Sequence, residues 1–341
     1  MMVNHTPLTL APPILGLRPS AGASVIAAAL LLASFAQAGL LAEGQPVRSI
    51  PFEVRDEQKP LIAARVAGRS GVVMFDNGTP DLLFLNRAAL DLPERPVIAI
   101  GSASSGQVIS VQAHPAPPVE IGGQPLSLPE TIRSGDFGFT GPGLGDDFLG
   151  FIGVKMIEND AVLLDYARRR LLVFQVGKDG SLPVAAPAGE DVLASVPFLI
   201  WPGEQPTFAA TVGAWPVIVD LDTGDGGTLY LAAITRERLR SQQLLQSEGG
   251  RWRLHGMTIG GMAFKPTPVR LVEAGGADDL RAAGRADQLR LGSHFLAENP
   301  CLLNFHAKTL TFLKPDATIL ETLAGSANEP KPSAPDPTTA P

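Results

Sequence analysis

Residues 50–78 read IPFEVRDEQKPLIAARVAGRSGVVMFDNG, and residues 196–224 read VPFLIWPGEQPTFAATVGAWPVIVDLDTG. The two stretches align without a gap, and nine of their positions are identical. Both stretches end in Asp-x-Gly behind a run of apolar residues. Because chance rarely produces such agreement without a gap, the sequence indicates an internal duplication.

The correspondence continues past the Asp-x-Gly, first at the same offset and then with loops of different length. Residues 83–85 match 229–231, residues 119–123 match 257–261, and residues 150–174 match 289–312. The Ile-Gly-Gly within the second of these pairs is typical of a strand end followed by a tight turn. Each unit therefore predicts paired strands, the Asp-x-Gly turn, a candidate hairpin and a second strand pair. A glycine, a short helical segment and a closing hairpin follow.

Composition favours short strands over long helices. The chain of 341 residues contains 36 Gly and 31 Pro, while 45% of its residues are hydrophobic and 18% are charged. Many turn-forming residues between apolar segments are typical of an all-β fold. We expect two lobes, at residues 48–177 and 194–316, joined by a Gly-, Pro- and Ala-rich linker at residues 178–193.

The two ends of the chain differ from these units. Residues 25–35 (VIAAALLLASF) form an apolar run that is short for a membrane span, and Ala-Gln-Ala follows at residues 36–38. We therefore expect residues 1–38 to be an export signal that directs the chain to the periplasm or out of the cell. An uncleaved membrane anchor is the alternative. Residues 317–341 predict a disordered Pro-rich tail.

Several classes of function find no support in the sequence. A net charge of −7 and a pI of about 5.3 predict no basic surface for nucleic acid. The single cysteine, Cys301, excludes an intramolecular disulfide. The histidines lack metal-ligand spacing, residues 220–225 depart from the calcium-loop pattern, and motifs for nucleotide binding or serine hydrolysis are absent. We expect no cofactor, no metal and no nucleic-acid partner.

Asp76 and Asp222 each follow an apolar strand and precede a glycine by two residues, which places each of them at a sharp bend. A single Asp-x-Gly is usually only a turn. Here the motif occurs at equivalent places in two units, so two copies can face each other. Two carboxyl groups a few ångströms apart cannot both ionise, so the pair shares one proton. One can then act as general base toward a water while its protonated partner hydrogen-bonds a carbonyl group.

With these motifs the chain resembles the pepsin and retropepsin superfamily of aspartic proteases, in a single-chain form. The resemblance covers residues 50–314. It rests on residues 75–79 (FDNGT) and 221–225 (LDTGD), and on residues 151–153 (FIG) and 290–292 (RLG), which look like the family's paired apolar-apolar-Gly segments. The resemblance implies two homologous acid-protease-like β-barrel lobes with short helices and an active cleft between the lobes.

The same resemblance implies the site residues. Asp76 and Asp222 would be the catalytic pair. The residues after each Asp would support the catalytic loops, and these are Asn77, Gly78, Thr79, Thr223, Gly224 and Asp225. The Thr223 hydroxyl would lock the opposing loops together, and the Thr79 hydroxyl would support the catalytic carboxylate.

Two residues depart from the family's pattern. Asn77 stands where the family has Thr or Ser, so the hydroxyl contact between the loops exists on one side only, unless the Asn77 amide replaces it. We therefore expect an Asn77→Thr exchange to stabilise the contact between the lobes. Asp225 adds a carboxylate near the pair, which raises the cost of ionising either Asp unless Asp225 points to solvent. Asp220 would share a strand face with Asp222.

Two segments are candidates for the walls of a cleft. Residues 101–110 (GSASSGQVIS) have the Ser and Gly content of a mobile hairpin tip and are the best candidate for the family's flap. In the second unit the matching region is residues 250–256 (GRWRLHG), where Trp252 either lines the cleft or packs as an ordinary amphipathic residue.

These features predict an aspartic endopeptidase that hydrolyses peptide or protein substrates with a water activated between Asp76 and Asp222. The alternative is an exported peptide-binding protein that keeps the protease fold with impaired turnover. Asn77 and Asp225 favour the alternative, whereas the presence of both aspartates and both glycines favours the enzyme. Because both halves of the site lie in one chain, we expect a monomer.

Overall fold

The structure is a computed structural model that describes residues 40–41, 45–103, 107–200, 205–231, 233–273 and 288–321. It is predominantly β, which confirms the predicted fold class at that level. Within these ranges no helix has both the length and the apolar character needed to cross a membrane. The predicted export signal, the tip of the predicted flap and most of the predicted tail lie outside the described residues.

The first half of the described chain contains thirteen strands and short helical segments. The strands are β1 (Val47–Pro51), β2 (Glu53–Arg55), β3 (Lys59–Val66), β4 (Arg69–Phe75), β5 (Leu83–Asn86), β6 (Val97–Ser102), β7 (Val108–Pro115), β8 (Val119–Ile121), β9 (Gln124–Pro125), β10 (Thr131–Gly135), β11 (Phe148–Ile152), β12 (Asp160–Asp165) and β13 (Arg170–Gln175). The helices are α1 (Arg87–Leu90) and α2 (Gly141–Leu144), with 3-10 turns at Gly138–Thr140 and Val154–Met156.

The second half follows the same order of elements. After a 3-10 turn at Gly189–Asp191, its strands are β14 (Val192–Pro197), β15 (Leu199–Ile200), β16 (Pro206–Val212), β17 (Trp215–Leu221), β18 (Thr228–Leu231), β19 (Leu245–Glu248), β20 (Arg251–Leu254), β21 (Met257–Ile259), β22 (Met262–Ala263), β23 (Thr267–Glu273), β24 (Gln288–Leu291), β25 (Cys301–Asn304) and β26 (Thr309–Leu313). Its helices are α3 (Ala233–Ser241) and α4 (Ser293–Glu298), and residues 318–321 are also helical.

Two ten-stranded sheets have equivalent strand orders. The first runs β6-β7-β10-β5-β11-β4-β3-β8-β9 with β2 paired to β3, and the second runs β19-β20-β23-β18-β24-β17-β16-β21-β22 with β15 paired to β16. Each strand of the first sheet has the counterpart expected from chain order at the same place in the second. The duplication seen in the sequence therefore extends to the strand pairing. In each sheet the Asp-x-Gly follows a strand, β4 or β17, that has a parallel neighbour, β11 or β24.

A third, six-stranded sheet joins the two halves of the chain. Its order is β1-β13-β12-β25-β26-β14, with three strands from each half and antiparallel pairing throughout. The central pair is β12 with β25, where Leu164 lies opposite Cys301. β12 and β25 are buried on both faces and form continuous apolar runs. The sequence therefore has no alternating pattern that would show that these two strands pair with each other.

The chain after β26 covers one face of the six-stranded sheet. Ala317, Ile319 and Leu320 are buried against strand residues such as Leu163 and Phe174. The prediction that disorder begins at residue 317 is therefore wrong for residues 317–321. The sequence hides this segment because five residues are too few to show a helical period.

The predicted linker at residues 178–193 connects β13 to β14, but its last two residues belong to β14. Leu182 and Val184 pack against the face that Leu320 also covers. The connection is therefore partly anchored to the six-stranded sheet by apolar contacts.

Candidate active site

Each Asp-x-Gly begins where a parallel strand pair ends. The backbone N–H of Asp76 donates to the Ile152 carbonyl at 2.9 Å, and that of Asp222 donates to the Leu291 carbonyl at 3.0 Å. Ile152 and Leu291 end β11 and β24, which are the parallel neighbours of β4 and β17. The apolar-apolar-Gly segments therefore hold the backbone of each Asp at the edge of its sheet.

Gly153 and Gly292 allow the loops after the two aspartates to pass close to these segments. A Cβ atom on Gly153 would overlap the carbonyl oxygens of Thr79 and Asp81, and a Cβ on Gly292 would overlap that of Asp225. A side chain at either position would displace the loop. The glycine of each segment is thus required by close packing.

The structure brings Asp76 and Asp222 together. Both residues are buried, with 8% and 5% exposure, and the two carboxyl groups lie within hydrogen-bonding reach of each other. Each carboxyl group also lies over the glycine of the opposite loop. A Cβ on Gly78 would be 2.6 Å from Asp222 Oδ1, and a Cβ on Gly224 would be 2.5 Å from Asp76 Oδ1. Both glycines are therefore needed for the carboxyl groups to approach.

Each loop supplies backbone support to its own carboxylate. The Gly78 N–H donates to Asp76 Oδ1 at 2.8 Å, and the Gly224 N–H donates to Asp222 Oδ1 at 2.9 Å. The Thr79 hydroxyl donates to Asp76 Oδ2 at 2.8 Å, which is the support that the resemblance implies for it. These short hydrogen bonds orient both carboxyl groups toward each other.

Asn77 and Thr223 lock the two loops together from both sides. Thr223 Oγ1 donates to the Phe75 carbonyl at 2.8 Å and accepts from the Asn77 N–H at 3.1 Å. The Asn77 amide mirrors this contact, because its Oδ1 accepts from the Thr223 N–H at 2.7 Å and its Nδ2 donates to the Leu221 carbonyl at 2.8 Å. The sequence predicts a contact on one side only, unless the Asn77 amide replaces the missing hydroxyl. The structure shows that the amide does replace it. An amide has both an acceptor and a donor, so it fills the hydroxyl's place.

The additional carboxylates are buried. Asp225 is 6% exposed and Asp220 is 3% exposed, so Asp225 does not point to solvent. Asp225 Oδ1 accepts from the Gly227 N–H at 2.7 Å and from the Thr228 hydroxyl at 2.9 Å. Asp220 accepts a hydrogen bond from the Gln288 amide.

Arg290 is a residue of the site that the sequence reasoning missed. Its guanidinium Nη1 lies 3.3 Å from Asp222 Oδ2 and 3.9 Å from Asp225 Oδ2, while its Nη2 lies 3.3 Å from Asp220 Oδ2. The side chain is 7% exposed. The sequence pattern places Arg290 in an apolar-apolar-Gly segment. An Arg at an apolar position of a buried strand is the signal that could have identified it, because buried cations need anionic partners.

The surroundings alter the ionisation of the pair. Burial raises the pKa of Asp222 to about 8, with the Asp76 and Asp225 charges acting in the same direction and Arg290 opposing them. Burial also raises the pKa of Asp76, against the hydrogen bonds from Thr79 and Gly78. Burial alone would lower the pKa of Arg290, but its carboxylate neighbours outweigh burial and raise it. The pair therefore retains a proton into the neutral pH range.

The predicted flap is a β-hairpin formed by β6 and β7, whose tip at residues 104–106 lies outside the described residues. The Ala103 N–H donates to the Gln107 carbonyl at 2.9 Å and closes the described part of the hairpin. Ile100 and Val108 are 67% and 71% exposed. The hairpin thus presents apolar side chains to solvent.

Trp252 lies on β20 of the second sheet, in the hairpin equivalent to the predicted flap. It packs against the main core, and the Arg240 guanidinium lies 5.5 Å from the centre of its ring. This packing accounts for Trp252 without a ligand. Among the described residues, no group of three or more His, Cys, Asp and Glu side chains is arranged to hold a metal ion.

Comparison with known proteins gives little further information. No protein-family model matches the chain. A search of curated proteins also finds no match. Among solved structures, the chain is similar to basic 7S globulin from soybean at 11% identity with a TM-score of 0.46, over 80% of this chain and 95% of that chain. A likeness at this level carries no argument about function.

Proposed function

We propose that the chain is an aspartic endopeptidase of the pepsin and retropepsin type, with the two ten-stranded sheets as its two lobes. The observation that carries the proposal is the pairing of Asp76 and Asp222, buried and within hydrogen-bonding reach across two interlocked loops. A structural Asp-x-Gly turn needs no such partner. The paired strand orders of the two sheets support the same proposal.

The proposed reaction needs one carboxylate and one carboxylic acid. The carboxylate takes a proton from a water as the water oxygen bonds to the carbon of the scissile carbonyl. The protonated partner hydrogen-bonds the carbonyl oxygen, and the resulting tetrahedral intermediate collapses as the leaving amine is protonated. The raised pKa of Asp222 supports this arrangement, because the pair then still holds a proton at neutral pH.

The substrate is proposed to be a peptide or an unfolded segment of a protein. The apolar side chains exposed on the predicted flap, among them Ile100 and Val108, favour a partly apolar ligand. We propose that the protein acts outside the cytoplasm, as residues 1–38 predict. Those residues lie outside the described part of the chain.

Digestion of a mixed peptide library by the purified full-length chain, followed by mass spectrometry, tests the proposal. We expect the wild type to cleave peptides between acidic and neutral pH, and Asp76→Asn and Asp222→Asn to lose cleavage by at least about a hundredfold. Asp165→Asn is a matched control, because Asp165 is also buried but pairs with Arg168 and Arg170 in a hairpin. Equal digestion by wild type and Asp222→Asn would overturn the proposal.

A second candidate, peptide binding without turnover, is favoured by one specific contact. Arg290 Nη1 lies against Asp222 Oδ2, so an ion pair engages one of the two oxygens of that carboxylate. Binding of fluorescent peptides recovered from the same library separates the two functions. Saturable peptide binding without any cleavage product would favour the binding protein over the enzyme, provided that the binding is lost when a residue of the cleft is replaced.

A further inference from the structure

The two aspartates receive different side-chain support, although their backbone support is the same. Asp76 Oδ2 accepts from the Thr79 hydroxyl. The position equivalent to Thr79 in the second repeat is Asp225, which as a carboxylate cannot donate to Asp222. Asp222 Oδ2 instead has Arg290 Nη1 at 3.3 Å and Gln205 Nε2 at 3.4 Å. The guanidinium therefore stands where the first repeat has a hydroxyl donor.

The second repeat also carries more buried negative charge than the first. Besides Asp222, it contributes the buried carboxylates of Asp220 and Asp225. Both lie within 4 Å of Arg290, at 3.3 Å and 3.9 Å. A buried carboxylate without a cation is strongly destabilised relative to its protonated form. Arg290 thus compensates a charge that the first repeat does not have.

The register of the second sheet makes this compensation possible. Asp220 on β17 lies directly opposite Arg290 on the parallel strand β24. The guanidinium extends from there to the strand end, where Asp222 and Asp225 begin the loop. A single side chain therefore contacts a strand carboxylate, a loop carboxylate and one member of the proposed pair.

We propose that Arg290 is a positioning residue, which orients the Asp222 carboxyl group and favours its ionised form. Asp225 is the anion that balances the charge of Arg290. The inference rests on the proposed function, because the pH range in which the pair holds one proton depends on how readily Asp222 ionises. Asp225 and Arg290 then form a compensated anion and cation at the positions where the first repeat has Thr79 and Phe151. Loss of Arg290 or Asp225 alone should shift the ionisation of the Asp76–Asp222 pair, and loss of both should largely restore it.

The direction of each effect follows from the charges that face Asp222. These are Asp76 from the opposite loop, Asp225 from its own loop, Arg290 from β24, and, around Arg290, Asp220 from β17. The phenol of Tyr230 on β18 is a further titratable group beside Arg290. The hairpin between β2 and β3 adds Glu57, whose carboxyl group lies against Gly226. Arg290 lowers the pKa of Asp222 and Asp225 raises it, both within a larger upward effect of burial. Removing Arg290 should therefore move the ionisation of the pair to higher pH, and removing Asp225 should move it to lower pH.

The test measures the pH profile of peptide cleavage for four variants in the full-length chain. Arg290→Gln keeps a donor but loses the charge, and we expect both limbs of the profile to move up by about 1–3 pH units. Asp225→Thr removes the anion and supplies a hydroxyl, so the limbs should move down. The double variant Arg290→Gln/Asp225→Thr should return close to the wild-type profile, and Arg290→Lys should shift less than Arg290→Gln.

Carboxyl carbon NMR titration of aspartate-labelled protein gives a readout that does not need turnover. The Asp222 resonance, assigned by its absence in Asp222→Asn, should shift its titration in the same directions as the cleavage profile. If wild type cleaves peptides but neither readout moves in Arg290→Gln or Asp225→Thr, the positioning role is overturned while the proposed function stands. If no form cleaves peptides but the titrations move as stated, the proposed function fails while the charge compensation stands. If Arg290→Gln does not fold, Asp225→Thr still tests the proposal. In that variant the cleavage profile and the Asp222 titration must both move to lower pH.

Discussion

At the scale of single residues, the site depends on hydrogen bonds whose donors and acceptors come from both repeats. Asn77 and Thr223 exchange four hydrogen bonds between the loops, two involving each side chain. Both residues are fully buried. Buried polar groups that lose their partners are costly, so this contact restricts how the loops can sit relative to each other. The positions of Asp76 and Asp222 follow from it.

Replacing Asn77 by Ala should destabilise the protein by roughly 2–5 kcal/mol, because the Thr223 N–H and the Leu221 carbonyl would remain buried without partners. Peptide cleavage should fall as well, since the paired loops would lose their alignment. Urea unfolding and cleavage rates measure the two effects. Asn86→Ala is the matched control, because Asn86 also makes two buried hydrogen bonds, to the Phe148 carbonyl and from the Phe137 N–H, both within the first repeat. It should lose stability and retain cleavage, and equal cleavage by both variants would contradict the role of Asn77.

The structure also changes the expectation for Asn77→Thr. The sequence alone predicts that this exchange stabilises the contact between the two loops, because Asn77 lacks the hydroxyl group that Thr223 supplies from the other loop. The Asn77 amide already supplies one acceptor and one donor. A threonine would therefore replace existing bonds instead of adding new ones.

At the scale of elements, each Asp depends on a parallel strand pair that ends in a glycine. β11 and β24 accept the N–H groups of Asp76 and Asp222, and the following glycines give room for the loops. The sequence revealed these segments by their apolar-apolar-Gly pattern and by their place in the repeat. It did not reveal which carboxylates the cation on β24 contacts, because a strand pattern describes burial and not the partner across the sheet.

Gly153→Ala should displace the loop that contains Thr79, because the new Cβ would overlap the carbonyl oxygens of Thr79 and Asp81. We expect a loss of about 1–3 kcal/mol in unfolding free energy and a larger loss of cleavage. Gly189→Ala is the control, since a Cβ there meets nothing within 4 Å and the backbone is not left-handed. Urea unfolding of both variants checks the prediction. A Gly153→Ala protein as stable and active as Gly189→Ala would show that the loop tolerates the added atom.

At the scale of the whole molecule, the six-stranded sheet makes the two halves interdependent. Three of its strands come from each half, and the central pair β12 and β25 crosses between them. One face belongs to the main core, and the other is covered by the segment that contains Ile319 and Leu320. Neither half has a complete hydrophobic layer on its own.

Truncation after Lys314 should therefore destabilise the protein, while truncation after Glu321 should not. Ile319 and Leu320 are buried, and exposing a fully buried side chain of this size costs about 1.5–3 kcal/mol, so we expect a loss of roughly 3–6 kcal/mol from the first truncation. The composition of residues 322–341 predicts little change from the second. Urea unfolding midpoints compare both with the full-length chain. Equal midpoints for all three would show that the segment contributes no packing energy.

Local patterns in the sequence determined the predominance of strands, the duplication and the positions of the Asp-x-Gly turns. These features depend on neighbouring residues or on repetition along the chain, which can be read directly. Tertiary structure alone decided how Asn77 pairs with Thr223, why Arg290 faces Asp222, and how the closing hairpins join in one sheet. The residues concerned are far apart in the chain, Asp220 and Arg290 by 70 positions and Asn77 and Thr223 by 146. Their contacts depend on how the strands and loops that carry them pair in space, which no local pattern in the sequence specifies.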